Sequence, residues 1–402
     1  MSIWRRAKQV LDPAAEFLRN EAIGGAGLLI ATAIALIWVN GPASDSYESL
    51  WTTELTLGFG DATITEDLRD WVNDGLMTLF FFVIALEIKR ELVTGELNDP
   101  KAAALPVIAA LGGALLPALL FLAIAGGEET YRGWSIPIAT DAAFAVGVLV
   151  LLGNRVSTGV KLFLVTIAVV DDVAAIIVIA VAYTADLSLG WLALAVGGLG
   201  TVVAMRRLGV TAVLAYVPVG LFVWLAMLES GVHPTIAGVA LALLTPARPI
   251  GGRKVLEQLE ERIHPLTSLL VLPLFALANA GVELSGDVFE DGDAALVAIA
   301  VAASLVAGKL IGISVASLAA LRAGVGTLPD GVDLRGVLGV AALGGIGFTV
   351  SLFITPLAYD DPALVSGAKI GILGASLTAA AIGTAILLGR RRKTPAQNGR
   401  SS

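Results

Sequence analysis

The chain has 402 residues, 56% of them hydrophobic and only 15% charged, with a mean hydropathy of +0.85; soluble domains carry roughly 45–50% apolar and about 25% charged residues, which excludes a water-solvated globule. The formal charge of -8 comes from acidic residues concentrated in connecting segments, so it does not point to nucleic acid. The absence of cysteine removes disulfides, thiolate catalysis and sulfur-ligated metal centres.

Residues 1–20 are basic and amphipathic, with no short apolar core followed by a small-residue cleavage site, so the first membrane helix is expected to act as the insertion signal. A helix needs about 20 mostly apolar residues to cross a ~30 Å hydrocarbon layer. Twelve segments meet a generous form of that demand, near 23–39, 71–88, 102–124, 135–152, 160–183, 189–205, 211–228, 232–246, 265–281, 294–320, 336–357 and 366–389. Segments 7 and 8 are parted only by Glu229-Ser230-Gly231, and their division rests on the even count that keeps loop charges consistent. No composition break interrupts the series, which predicts one all-α integral membrane domain over 1–402. The 45 glycines suit it, because small residues let helices approach closely where lipid gives no hydrophobic drive.

Cytoplasmic connections hold back Lys and Arg during insertion. With both termini inside a bacterial inner membrane, 22 of the 26 Lys and Arg fall in cytoplasmic connections, two in external ones (Arg69, Arg132) and two within segments (Lys309, Lys369). The basic tail 390–402 is then cytoplasmic, like the N-terminal segment. Between segments 1 and 2, the alternating run from Glu54 to Thr65 turns at Gly58-Phe59-Gly60-Asp61 and predicts an external β-hairpin over 50–66. Its unpaired edges either add strands to a second copy, making a homodimer, or form an ordered surface ribbon.

Segments 3–5 start inside and segments 10–12 start outside, so the two triplets are inverted repeats. Secondary transporters built this way interrupt the middle helix of each triplet near the midplane. Thr140-Asp141 in segment 4 and the run Gly344-Gly345-Ile346-Gly347 in segment 11 are the candidate breaks. Those glycines also suit tight helix packing.

Asp171 and Asp172 sit near the middle of segment 5, where each carboxylate costs about 2.5–3.5 kcal/mol on insertion scales. Asp141 and Lys309 reach the same layer. Adjacent helical residues point about 100° apart, so one aspartate is expected to pair with Lys309 while the other faces a cavity with Asp141 and Thr140. Crowded carboxylates in a low dielectric titrate as a coupled set, and protons compete there with a small hard cation that prefers oxygen ligands. The candidate ligands for sodium or lithium are the two carboxylates, Thr140 and carbonyls freed by a broken helix. With no phosphate-binding loop for ATP, alternate exposure of such a site gives ion exchange without a cofactor or a covalent step. A second charged group, Glu87 and Glu91 after segment 2 with Glu257, Glu260, Glu261 and His264 before segment 9, reads from its residues alone as a solvated helix end. His233 reads as a satisfied structural histidine.

Two other classes were weighed. Gly58-Phe59-Gly60-Asp61 and Tyr359-Asp360 imitate the motif pair of intramembrane aspartyl proteases, but both lie in external loops and in reverse order. A sodium-coupled solute symporter needs a further polar pocket, and only Asn279, Ser304 and Ser351 are scattered beyond the carboxylates.

The stretches 80–92, 138–147, 167–173, 230–238, 272–281, 308–312 and 345–351 include Thr140-Asp141, Asp171-Asp172, Lys309 and Gly345-Ile346-Gly347. In that order, over nearly the whole chain, they resemble the NhaA-type bacterial sodium/proton antiporters. The resemblance implies that fold, with two crossed broken helices whose dipoles Asp141 and Lys309 offset, and Lys309 paired to Asp171. It implies Asp171 and Asp172 as the cation-binding and proton-carrying pair. It further implies electrogenic exchange of two protons per sodium, a hairpin-mediated homodimer, and pH sensing by Glu87, Glu91, Glu260 and His264. Glu261 stands where some members carry histidine.

Overall fold

The computed structural model describes residues 23–59, 62–184, 186–249, 254–284 and 290–389, and each of the twelve apolar segments is helical in whole or part. The N-terminal segment 1–20, the tail 390–402 and the turn residues Gly60 and Asp61 lie outside the described residues. Among the described residues, Pro100–Ala125, Thr158–Ala182, Leu189–Arg207, Val255–Asn279, Gly292–Arg322 and Pro362–Leu388 are each long and apolar enough to cross a membrane alone. Segment 11 is two helices, Leu334–Leu343 and Phe348–Ala358, bent by 43°. Segment 2 starts as a π-helical stretch, Trp71–Leu76, and continues as Met77–Val93.

Both triplets follow one plan. A long helix (Pro100–Ala125, Gly292–Arg322) precedes a broken one, and another long helix (Thr158–Ala182, Pro362–Leu388) follows. Four segments, an even number, lie between the two three-segment units, so the units run in opposite directions. Their members pack on one another, most closely where segments 3 and 10 cross. There a Cβ on Gly312 would stand 2.2 Å from the Gly112 carbonyl oxygen, so only glycine lets the backbones touch. Segment 5 lies deepest, with 61% of its apolar window buried against 17% for segment 6. A second group packs segment 2 against segments 8 and 9; a Cβ on Gly238 would meet the Thr78 carbonyl oxygen at 2.5 Å.

The hairpin pairs β1 (Glu54–Phe59) with β2 (Ala62–Asp67) antiparallel, Thr56 opposite Thr65 with their hydroxyls 2.8 Å apart. Its base is fixed by the Trp71 indole donating to Leu55 O (2.9 Å) and by Arg69 against Glu48 (2.9 Å).

Two boundaries differ from those read in the sequence. Residues 50 and 51 belong to a short helix, Ser44–Trp51, turned 117° from Ile23–Val39 after Gly41-Pro42. Tyr47 and Trp51, one turn apart, are buried on its inner face, an apolar pair masked by the acidic composition around it. Segment 9 begins at Val255 rather than near 265, since Pro265 does not stop the helix: the π stretch Thr267–Val271 follows it and absorbs the irregularity. Glu257, Glu260, Glu261 and His264 are therefore on that helix, not before it.

Candidate functional site

A helix broken inside a membrane exposes backbone donors and acceptors that lipid cannot satisfy, so each must find a protein partner. In segment 4 a short helical turn, Tyr131–Ser135, gives way to a further turn over 136–138 and a non-helical stretch to Asp141 before Ala142–Leu151 begins. In segment 11 the break is Gly344 to Gly347. The two breaks cross and bond directly: Asp141 N donates to Ile346 O (2.6 Å), and the Thr140 hydroxyl lies 2.9 Å from Gly344 O, its one proton shared between that carbonyl and Asp171. Ser351, which the sequence marked only as scattered polarity, donates to Ile136 O (2.6 Å). The glycines serve packing as well as the break, since a Cβ on Gly345 would stand 2.4 Å from Leu305 O and one on Gly347 2.8 Å from the Leu305 side chain.

Asp141 joins the starts of two helices. Its Oδ1 accepts Phe144 N (2.9 Å) and its Oδ2 accepts Thr349 N (3.0 Å), so one carboxylate caps Ala142–Leu151 and Phe348–Ala358 together. Negative charge at two helix N-termini opposes the positive ends of both dipoles. Lys309 does the reverse at the opposite pole, its ammonium donating to Ile138 O at the end of the incoming stretch. The π stretch Ser304–Gly308 immediately precedes Lys309 and aligns it there.

Asp171 and Asp172 separate as adjacent helical residues must. Asp171 is fully buried, with Oδ2 taken by Lys309 Nζ (2.6 Å) and by the Thr140 hydroxyl (2.7 Å). Thr140 bonds Asp171 and at the same time lines the cavity on the Asp172 side. Asp172, 8% exposed, accepts no hydrogen bond among the described residues and lines a cavity of about 60 Å³ together with Thr140, Asp141 and Thr349. That volume holds a few waters or one ion; it has no room for an organic solute.

The same cavity reaches Glu87 and His264. The charged rim, which the sequence separated from the carboxylate centre, is therefore its mouth. It is not a plain solvated helix end either: Glu260 is only 6% exposed and paired with Arg90, Arg90 also approaches Glu91 (3.4 Å), and His264 Nε2 lies 3.8 Å from Glu87. Of the carbonyls freed at the crossing, Ile138 O accepts from Lys309 and Ile346 O from Asp141 N, while Gly344 O faces the Thr140 hydroxyl. At the hairpin end, His233 Nδ1 lies 2.9 Å from the Thr235 hydroxyl and its Nε2 3.6 Å from Asp74. Tyr359 of the protease-like motif is buried and donates to Thr130 O (2.6 Å), while its partner Asp61 lies outside the described residues.

Comparison with known proteins places this geometry among relatives. A family model described as Na+/H+ antiporter 1 matches residues 15–387. The chain is 46% identical to a Na+/H+ antiporter NhaA of Nocardia farcinica, covering 96% of this chain and 92% of the relative. It is 44% identical to NhaA 1 of Erythrobacter litoralis (93% and 92% covered) and 40% identical to NhaA 2 of Sorangium cellulosum (98% and 93%).

Proposed function

The chain belongs to the Na+/H+ antiporter 1 family, and from that premise we propose that Asp172 takes sodium and protons in turn, while Asp171, Thr140, Asp141 and Lys309 build and balance the site around it. The protein is a multi-pass membrane transporter that exchanges sodium for protons. One observation carries the residue assignment: of two neighbouring carboxylates at the same depth, Asp171 is closed off by Lys309 and Thr140, and Asp172 opens to the cavity.

A hard cation entering that cavity meets the Asp172 oxygens first. Asp171 completes the site when Lys309 releases it, and the competition between proton and cation for the same oxygens couples the two flows. Asp141 stays bonded to both helix starts and keeps the crossing intact while occupancy changes. Each cycle carries two protons against one sodium, and lithium substitutes for sodium. The loop charges support a bacterial inner-membrane location with both termini cytoplasmic, so the cavity mouth at Glu87 and His264 faces the cytoplasm.

The test is to load everted vesicles with the chain, set up a proton gradient and add sodium or lithium. Collapse of the gradient on either addition is expected; collapse only with an organic solute present would refute exchange. Glu87, Glu91, Glu260 and His264 act as the pH-sensing mouth, because their ion pairs bridge segment 2 and the helix Val255–Leu266 beside the cavity. Glu260→Gln, which removes the partner of Arg90, is expected to move the pH of half-maximal exchange by about one unit. An unshifted profile would leave the rim a structural clasp.

The hairpin supports a homodimer by strand addition, since Leu55 and Leu57 are exposed at 40% and 49% on β1. Replacing residues 54–67 by a short glycine-serine link is expected to convert dimer to monomer in detergent, read by light scattering. An unchanged mass would move the interface elsewhere.

A further inference from the structure

The path from Asp172 to the cytoplasmic rim is open, so something on the other side closes it. Segments 2 and 9 line the cavity with Phe80 and Leu272, and both run on toward the hairpin end for about two turns, on the order of 10 Å, to Asn73 and Asn279. Segment 11 lines it with Thr349 and Val350 and reaches Phe353 one turn further out. At that level the Phe353 ring lies 5.1 Å from Phe81, 6.3 Å from Phe275 and 5.1 Å from the His233 ring, centre to centre. The three phenylalanines are at most 2% exposed.

Resting on the exchange reading above, we propose that Phe353, seated among Phe81, Phe275 and His233, is the external barrier of the transport path and must leave its seat before Asp172 is reached from outside. A closed apolar constriction excludes ions by excluding their water. The seat and the ring come from different packing groups. Phe81, His233 and Phe275 stand on segments 2, 8 and 9, whereas Phe353 stands on the outer half of segment 11, which continues directly from the crossing that holds Asp141. The seat is braced from within its own group and from the adjoining segment 7. Asn279 donates to Asn73 (2.8 Å), His233 approaches Asp74 (3.6 Å), and the Trp224 indole donates to Asp74 O (2.9 Å). A displacement of the triplets against segments 2, 8 and 9 therefore unseats Phe353 without breaking those polar pairs. The same motion carries the ion site, so barrier and site move together.

The chain has no native cysteine, so thiols can be placed in the full-length protein directly. In vesicles carrying Phe275→Cys with Phe353→Cys, a short reductant-cleavable bis-methanethiosulfonate is expected to lower sodium-dependent exchange at least about tenfold, with recovery on reduction. Each single variant, whatever its own rate, should show the same rate before and after the reagent. Exchange continuing in fully joined protein, or failure of the pair to join, would overturn the proposal. A second arm needs no transport. Val83→Cys, in the cavity wall, should react with an impermeant thiol reagent from the cytoplasmic face only, and adding Phe353→Ala should raise its reaction from the external face by about tenfold. An unchanged external rate in the folded double variant counts against Phe353 as the barrier. Absence of exchange in the unmodified chain would count instead against the exchange reading, leaving the labelling result to stand alone.

Discussion

Asp172→Asn is expected to abolish sodium- and lithium-dependent collapse of the proton gradient while leaving the fold intact. The amide keeps the size of the carboxylate, but it carries no charge to hold a cation and does not bind and release a proton at working pH. Because Asp172 accepts no hydrogen bond among the described residues and faces the cavity, the exchange removes no structural contact. Thermal stability should fall less than in Asp171→Asn, because no ion-pair partner is stranded. Asp171→Asn differs: it weakens the pair with Lys309 and should lower both exchange and stability. The contrast between two adjacent positions separates a transport group from a balancing one. Sodium-driven exchange above roughly one-tenth of the native rate in folded Asp172→Asn, less than about 1.4 kcal/mol of barrier, would remove Asp172 from the ion path.

Most of the architecture was legible because a membrane imposes few solutions. Apolar runs long enough to span it must be helices, and the sorting of 22 of the 26 Lys and Arg to one side gives the expected order of crossings. The hairpin was legible from its alternation, and β1 and β2 pair as the pattern around Thr56 and Thr65 requires. Charges deep in apolar segments marked the candidate site for the same reason, and the structure brings Asp171, Asp172, Asp141 and Lys309 into one buried cluster. What hydropathy could not carry was direction within a helix. It left open which aspartate meets Lys309, and only the family resemblance favoured Asp171.

Other features were hidden for identifiable reasons. Pro265 reads as a helix boundary because it lacks an N–H, yet the π stretch Thr267–Val271 carries the helix through it. That misplacement cut His264 away from the cavity it lines, and Glu260 away from its pairing with Arg90 on segment 2. Ser351 and Asn279 looked like scattered polarity because their partners, Ile136 O and Asn73, are far away in sequence. Phe353 carried no signal at all. A phenylalanine in an apolar segment is indistinguishable from lipid-facing bulk until the helices around it are placed.

Lys309→Ala tests whether the centre is held by charge balance rather than by packing alone. Lys309 and Asp171 are both fully buried, and the ammonium donates to Asp171, to the Thr140 hydroxyl (3.2 Å) and to Ile138 O. Removing it strands a carboxylate whose Oδ1 has no hydrogen-bond partner among the described residues and frees the carbonyl at the break of segment 4. Breaking a buried pair from one side typically costs about 3–5 kcal/mol, far more than the pair contributes relative to apolar substitutes. A clear drop in the melting midpoint in detergent is therefore expected, with exchange reduced or displaced in pH. Lys309→Ala combined with Asp171→Asn removes both charges, and the double variant should regain most of the lost stability, since the two sites are in direct contact and their effects do not add. If the single and double variants melt alike, the loss comes from the cavity left by the lysine stem beside Gly113 and not from the stranded charge. If Lys309→Ala melts as the native chain does and exchanges ions with an unaltered pH profile, Asp171 needs no counter-ion, and the balance assigned to this pair has no physical basis.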